Sequence, residues 1–184
     1  MIYLKNGSYK PKDAPSLLLR ARELVSGQDI IIRDTRVAER FIEYDTSIPE
    51  NKSLEKVTRK LVCIAPLLEY EHIADEEKLE KDKAIESARN LFNTEKYWRA
   101  HEVLESIWKD SYGNEKALLN GLILIAAAFV HYEKNEDEIC ISILKRAIIK
   151  LERAGGYYFG IRIDDIKDHI SKIVKTGNIQ RLII

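Results

Sequence analysis

The chain has 184 residues, and its 30 Lys and Arg residues are balanced by 30 Asp and Glu residues, so the formal net charge is zero. This balance gives no global electrostatic reason to expect binding to nucleic acid or to an anionic membrane. The length suits one good-sized core with a small appendage, or two small domains, and we expect two units.

We expect neither an export signal nor a membrane-spanning segment in this chain. Residues 1–5 lead directly into Asn6-Gly7 without the apolar segment and cleavage site of a signal peptide, and the longest apolar run, 122–130, is under half a membrane span. We therefore predict a cytoplasmic protein that does not enter a membrane. Cys63 and Cys140 lack metal-site spacing and are predicted to be buried free thiols. The abundance of Lys, Glu and Ile and the scarcity of Gln are typical of a thermophile-like composition.

The first 70 or so residues alternate short apolar runs with turn signals, which predicts a small α+β unit over residues 1–74. The expected order is β-α-β-β-α, a partial split-βαβ arrangement. Its elements are a strand at 2–4, a helix at 17–25 capped by Ser16, strands at 30–32 and 41–44, and a helix opened by Ser53 and ended by Pro66. Interleaved acids indicate that a group of basic residues forms an ordinary solvated surface: Arg33, Arg36, Arg40 and Lys60.

The remainder, residues 75–184, reads as an all-α bundle, so the predicted fold class is mainly α. A charge-dense stretch at 74–83 reads as a linker that passes into the first helix. Residues 117–132 are apolar on nearly every side, which predicts the central helix of the bundle. We expect flanking helices around 85–92, 98–108 and 139–151, an aromatic loop at 157–160, and a last helix capped by Asp164 or Asp165 that ends near Gly177. Gly121 is expected to let neighbouring helices approach closely.

The helix at 98–108 carries the candidate site. At about 100° per residue, Trp98, His101, Glu105 and Trp108 fall within one wedge of the helix, which predicts an imidazole and a carboxylate on an apolar, inward face. Burying either group unpaired costs several kcal/mol, so the pattern calls for mutual hydrogen bonding, a partner helix or a ligand.

Three interpretations of this wedge stay open. In the first, His101 and Glu105 satisfy each other in a structural network. In the second, the wedge lines a pocket, and a divalent metal is held by His101, Glu105 and His131. In the third, Glu105 or Glu102 acts as a base and His101 as an acid. The candidate pocket residues are Trp98, His101, Glu102, Glu105, Trp108, Asn120 and His131. An antiparallel connection at Gly113 places Asn120 level with Trp108, and His131 level with Trp98.

The motif over this region resembles a known family. The pattern Phe92-Asn93-x-x-x-Tyr97-Trp98-x-x-His101-Glu102-x-Leu104-Glu105-x-x-Trp108, followed by Gly121-Leu122-Ile123, Ala126-Ala127 and His131, is similar to domain of unknown function family 309 over residues 84–155. The resemblance implies a compact all-α bundle in which the His-Glu-x-x-Glu-x-x-Trp helix packs against the Gly-Leu-Ile helix. It also implies that His101, Glu102, Glu105, Trp108 and His131 are the characteristic positions. It names no reaction and no cofactor.

Two functional hypotheses follow. The first is a non-catalytic cytosolic module that binds a protein or a small molecule through the bundle. The alternative is a metal-dependent, hydrolase-like enzyme that uses His101, Glu102 and Glu105. Nucleic-acid binding does not fit the charge balance. Self-association is predicted through the edge of the N-terminal sheet or through residues 157–159 of the aromatic loop.

Overall fold

A computed structural model describes residues 1–49, 53–73 and 79–184. It confirms the predicted fold class, because a small antiparallel sheet with helices at the N-terminus is followed by a helical region. The chain divides into two compact units, Met1–Glu76 with Glu133–Asn135, and Glu77–Tyr132 with Glu136–Ile184. The predicted boundary at 74/75 and residues 74–78 of the predicted linker lie outside the described residues.

The first unit has β-α-β-β-α-β order. Its elements are β1 (Ile2–Lys5), α1 (Ala14–Leu24), β2 (Ile31–Val37), β3 (Phe41–Ser47), α2 (Leu54–Leu61) and β4 (Leu67–Tyr70). The strands form one sheet in the order β2-β3-β1-β4, and each neighbouring pair is antiparallel. This is a complete split-βαβ topology. The sequence analysis predicted the first five elements and missed β4, a run of four residues directly after Pro66.

The two faces of this sheet are buried in different ways. On one face, alternate strand residues such as Ile2, Leu4 and Ile42 share a core with Leu17 of α1 and Leu61 of α2. On the other face, the guanidinium of Arg36 on β2 pairs with the carboxylate of Glu43, its direct cross-strand neighbour on β3. Both side chains are at most 3% exposed. The prediction that Arg36 belongs to a solvated mixed surface is therefore wrong.

The second unit is a run of helices in which successive helices pack together. They are α3 (Lys81–Asn93), α4 (Tyr97–Trp108), α5 (Gly113–Tyr132), α6 (Asp137–Lys150) and α7 (Ile163–Thr176). The short connections between α3, α4, α5 and α6 favour antiparallel neighbours. Before α7, the predicted aromatic loop at 157–160 forms β5 (Tyr157–Tyr158) and the turn of a short hairpin, in which β5 pairs with β6 (Ile161–Arg162).

The central helix of this unit is α5. Ten of its twenty residues are buried. By length and composition alone α5 is apolar enough to cross a membrane, but 56% of its most apolar window is buried inside the structure, as in the core helix of a bundle. The ring of Phe129 packs edge-to-face against Phe92 and stacks on Tyr97, and Phe92 also packs edge-to-face against Tyr97.

Several local expectations are corrected by the structure. Helix α7 begins at Ile163, so Asp164 and Asp165 lie in its first turn instead of capping it, and α2 ends at Leu61, well before Pro66. Helix α1 begins at Ala14, so Ser16 lies inside its first turn and its hydroxyl donates to the carbonyl of Asp13. Helix α5 begins at Gly113, four residues before the expected start. Cys63 is an exposed thiol, whereas Cys140 is buried as predicted.

Gly121 on α5 lies against the end of α6. A Cβ added at Gly121 would lie 2.6 Å from the Cγ of Leu151, a buried residue just after α6. This confirms that Gly121 permits close helix approach.

We predict that Gly121→Ala destabilises the protein by about 1–2 kcal/mol, because overpacking costs more than the gain in helix propensity of about 1 kcal/mol. Chemical denaturation measures this change. Leu151→Ala removes the obstructing side chain, so in the double variant the two losses are less than additive. A Gly121→Ala protein as stable as the wild type would contradict this account of the contact.

Candidate functional site

The predicted site residues lie on α4, but on a different face from the one expected. The buried face of α4 is formed by Tyr97, Ala100, Val103, Leu104 and Ile107. The wedge that was predicted to point inward is half-buried at all four positions: Trp98, His101, Glu105 and Trp108. The expected burial of this His/Glu/Trp cluster is therefore only partial, because this side of α4 borders solvent.

The two rings nearest the start of α4 are stacked. The centroids of Trp98 and His101 are 5.6 Å apart with an interplanar angle of 9°. The Nδ1 atom of His101 is buried and has no hydrogen-bond partner among the described residues, so the expected hydrogen bond between His101 and Glu105 is not formed there. Glu102 lies on the other side of the wedge, where its carboxylate accepts a hydrogen bond of 2.8 Å from the buried Arg99.

Helix α5 adds a second half-buried stripe. Asn120, Leu124, Ala127 and His131 recur every three or four residues and are all half-buried. Lys116 continues this stripe one turn earlier, and its Nζ lies 4.7 Å from the ring centroid of Trp108 on α4. This cation–π contact joins the two stripes on one side of the α4–α5 pair. We call the combined surface the hairpin face: Trp98, His101, Glu105, Trp108, Lys116, Asn120, Leu124, Ala127 and His131.

Sequence reasoning missed Lys116, Leu124 and Ala127 as parts of this surface. The available signal was their spacing from Asn120 and His131, since residues three or four apart share a helix face. The stacked rings of Tyr97 and Phe129 lie close to the predicted register between the two helices.

The proposed metal ligands do not come together. In the ranges 1–49, 53–73 and 79–184, no three His, Cys, Asp or Glu side chains are placed to share a metal ion. His131 points its Nδ1 at the carboxylate of Glu136, which lies just before α6. The ligand set of His101, Glu105 and His131 is therefore not assembled within this part of the chain.

The electrostatics of the hairpin face favour a neutral imidazole. Burial lowers the pKa of His101 below its ordinary value near 6.5, and the carboxylates of Glu105 and Glu102 oppose this by favouring the charged ring. The indole Nε1 of Trp108 is buried and has no hydrogen-bond partner among the described residues. Besides His131, the face thus combines two indole rings and the neutral imidazole of His101 with one cation, Lys116, and one carboxylate, Glu105.

A cavity in the same unit lies apart from the predicted pocket residues. It has a volume of about 540 Å³ and lies between the start of α5, the end of α6 and β5. Its walls include Leu118, Ile149, Arg153 and Tyr158. The hydroxyl of Tyr158 donates to the carboxylate of Glu115, which also pairs with Lys81. None of the predicted site residues lines this cavity.

The hairpin face lies within a region shared with other proteins. Residues 85–143, from α3 into α6, match the family described as "Domain of unknown function (DUF309)", which confirms the resemblance predicted from the sequence. A curated "Uncharacterized protein" of Aquifex aeolicus (strain VF5) is 26% identical over 97 residues, which are 52% of this chain and 29% of that protein. The chain thus matches less than a third of that relative's length. A crystal structure of a conserved hypothetical protein from Thermus thermophilus is similar with a TM-score of 0.44 and 26% identity, over 50% of this chain and 95% of that one.

We predict that NMR titration gives His101 a pKa below its ordinary value, and that Glu105→Gln lowers this pKa further because it removes a charge that favours the imidazolium. The unfolded chain binds this proton at higher pH than the folded chain does. Hence the free energy of unfolding falls as the pH drops from the unfolded pKa towards the folded one.

The loss of one imidazole signal in His101→Gln assigns the resonance among the four histidines. A higher pKa in Glu105→Gln than in the wild type would contradict the assigned electrostatics.

Proposed function

We propose that this protein is a non-catalytic binding module and that its hairpin face binds a segment of a partner protein. The observation that carries the proposal is the position of the tryptophans. The chain has two, Trp98 and Trp108, and both are half-buried on this one face.

The position of the two tryptophans favours a protein partner because their burial in an interface would contribute binding free energy. Indole rings contribute large apolar area, and Trp is enriched among the interface residues that carry most of the binding energy. On the hairpin face they lie among polar groups of both charges, Lys116 and Glu105, which is the composition of an interface with an aromatic centre and polar neighbours. A partner that covers the face would remove the half-exposed rings from water.

The polar groups of the face also suit binding better than catalysis. A neutral His101 offers both a donor and an acceptor nitrogen, while Glu102 is engaged by Arg99. The metal-dependent alternative needs a ligand set that the described segments do not assemble. The cytoplasmic location expected from the sequence is part of this proposal, with the apolar surface of α5 used inside the bundle.

Glu105→Lys is expected to abolish partner binding, because it reverses the carboxylate between the two tryptophans while leaving the core face of α4 intact. Glu138→Lys is the matched control, since it makes the same charge change at an exposed position of α6 that is not one of the residues of the hairpin face. The tagged wild-type protein and both variants are purified from host cells, and co-purifying proteins are quantified by mass spectrometry. A protein retained by the wild type and by Glu138→Lys but lost from Glu105→Lys is the expected result.

Tryptophan fluorescence provides the direct test. Because both tryptophans lie on the face, adding the recovered protein should shift the emission maximum of the wild type to shorter wavelength and leave that of Glu105→Lys unchanged. Equal recovery of every co-purifying protein by the wild type and Glu105→Lys would contradict the proposal.

A chelator is expected to leave the melting temperature unchanged, since no three-ligand set is assembled among the described residues. Thermal melts with and without EDTA, and metal analysis of the purified protein, measure this. A fall in melting temperature on chelation that is absent in His101→Ala would support the metal-dependent alternative instead.

A further inference from the structure

The cavity between the start of α5, the end of α6 and β5 arises from a difference in helix length. Helix α5 has twenty residues and α6 has fourteen. Gly121 lies against Leu151, the first residue after α6, so in an antiparallel pair the earlier turns of α5 extend beyond the end of α6. A cavity of about 540 Å³ remains beside those turns. Sites for small molecules typically measure about 300–1,000 Å³, so this cavity has a suitable size.

The inner wall of the cavity is apolar. It includes Leu118 of α5, Ile149 of α6 and the ring of Tyr158. Leu118 is buried, whereas Ile149 is 69% exposed and lacks an apolar cover. The hydroxyl of Tyr158 donates a hydrogen bond of 2.9 Å to Glu115, whose carboxylate also pairs with Lys81 at 2.9 Å. These contacts set the position of the Tyr158 ring, which lowers the entropic cost of ordering the wall around a ligand.

The rim of the cavity carries an excess of positive charge. Its charged residues are Glu115, Lys150, Glu152 and Arg153. The carboxylate of Glu115 is already engaged by Lys81. The other three side chains are exposed and form no hydrogen bond or ion pair with the residues that the structure describes, so two cations are opposed by one carboxylate. This balance favours a ligand with a single negative charge.

We propose that this cavity binds a small organic acid that has one carboxylate on an apolar body, such as an aryl or a short alkyl group. The apolar body lies against Leu118, Ile149 and the ring of Tyr158. The carboxylate lies at the rim, where the planar guanidinium of Arg153 donates to both of its oxygens and Lys150 adds a second positive charge. The site is separate from the hairpin face, since none of the residues of that face lines the cavity.

NMR titration of the full chain with phenylacetate tests the proposal, and phenylacetamide serves as the uncharged probe of the same size. The backbone amide signals of Leu118, Arg153 and Tyr158 should shift saturably with the acid, whereas those of Trp98 and His101 on the hairpin face should not. Phenylacetamide should bind roughly tenfold more weakly, because it cannot form the charge-assisted hydrogen bonds at the rim.

Substitutions of two neighbouring rim residues should change the affinity for phenylacetate in opposite directions. Arg153→Gln should weaken binding roughly tenfold, because it removes the guanidinium. Glu152→Gln should strengthen binding, because it removes the carboxylate that opposes the acid. Arg146→Gln is the matched control for the loss of a guanidinium and should bind like the wild type, since Arg146 is an exposed residue of α6 that does not line the cavity. Partial unfolding would not produce changes in both directions.

Three results would each overturn the proposal. They are the absence of a saturable shift at the cavity residues, equal affinities for phenylacetate and phenylacetamide, and an Arg153→Gln protein that binds the acid as well as the wild type does. The outcome is independent of the proposed partner binding, which is tested on the hairpin face.

Discussion

The burial of α5 is the constraint on which the helical unit depends. This helix packs against α4 on one side and α6 on the other, and at Gly121 only a hydrogen side chain fits beside Leu151. Its Phe129 ring in turn meets Tyr97 near the start of α4. Once Tyr97 is fixed in the core, helical geometry places Trp98, one residue and about 100° further round, at the border with solvent. The position of the hairpin face is thus a consequence of core packing.

Much of the fold follows from periodicity, and the errors have identifiable causes. The apolar run of α5 and the stripes of its neighbours repeat over three or more turns, so their helices could be predicted. The rotation of α4 about its own axis could not be predicted, because Trp98 and Trp108 count as apolar residues. The face that is buried instead carries smaller residues such as Ala100 and Leu104. Strand β4 was missed because four residues carry too little alternation to be told from a loop.

The sequence predicted which residues form the candidate site better than it predicted their exposure and their contacts. Trp98, His101, Glu105 and Trp108 do share one face of α4, and Asn120 and His131 share one face of α5. Their exposure and their partners could not be predicted, because these depend on which of two overlapping stripes the neighbouring helices cover. The contact between His131 and Glu136 is one example, since it connects the end of α5 with the residue before α6 across a turn.

The buried pair of Arg36 and Glu43 has a consequence for how the first unit assembles. The two residues are direct cross-strand neighbours in the hairpin of β2 and β3. A slip of one residue would turn every side chain of a strand to the opposite face of the sheet and would separate the buried guanidinium of Arg36 from the buried carboxylate of Glu43. An unpaired buried charge costs several kcal/mol, a large part of the stability of a domain this small. The pair therefore fixes the register of the hairpin, because a competing register is penalised as soon as this face of the sheet is buried.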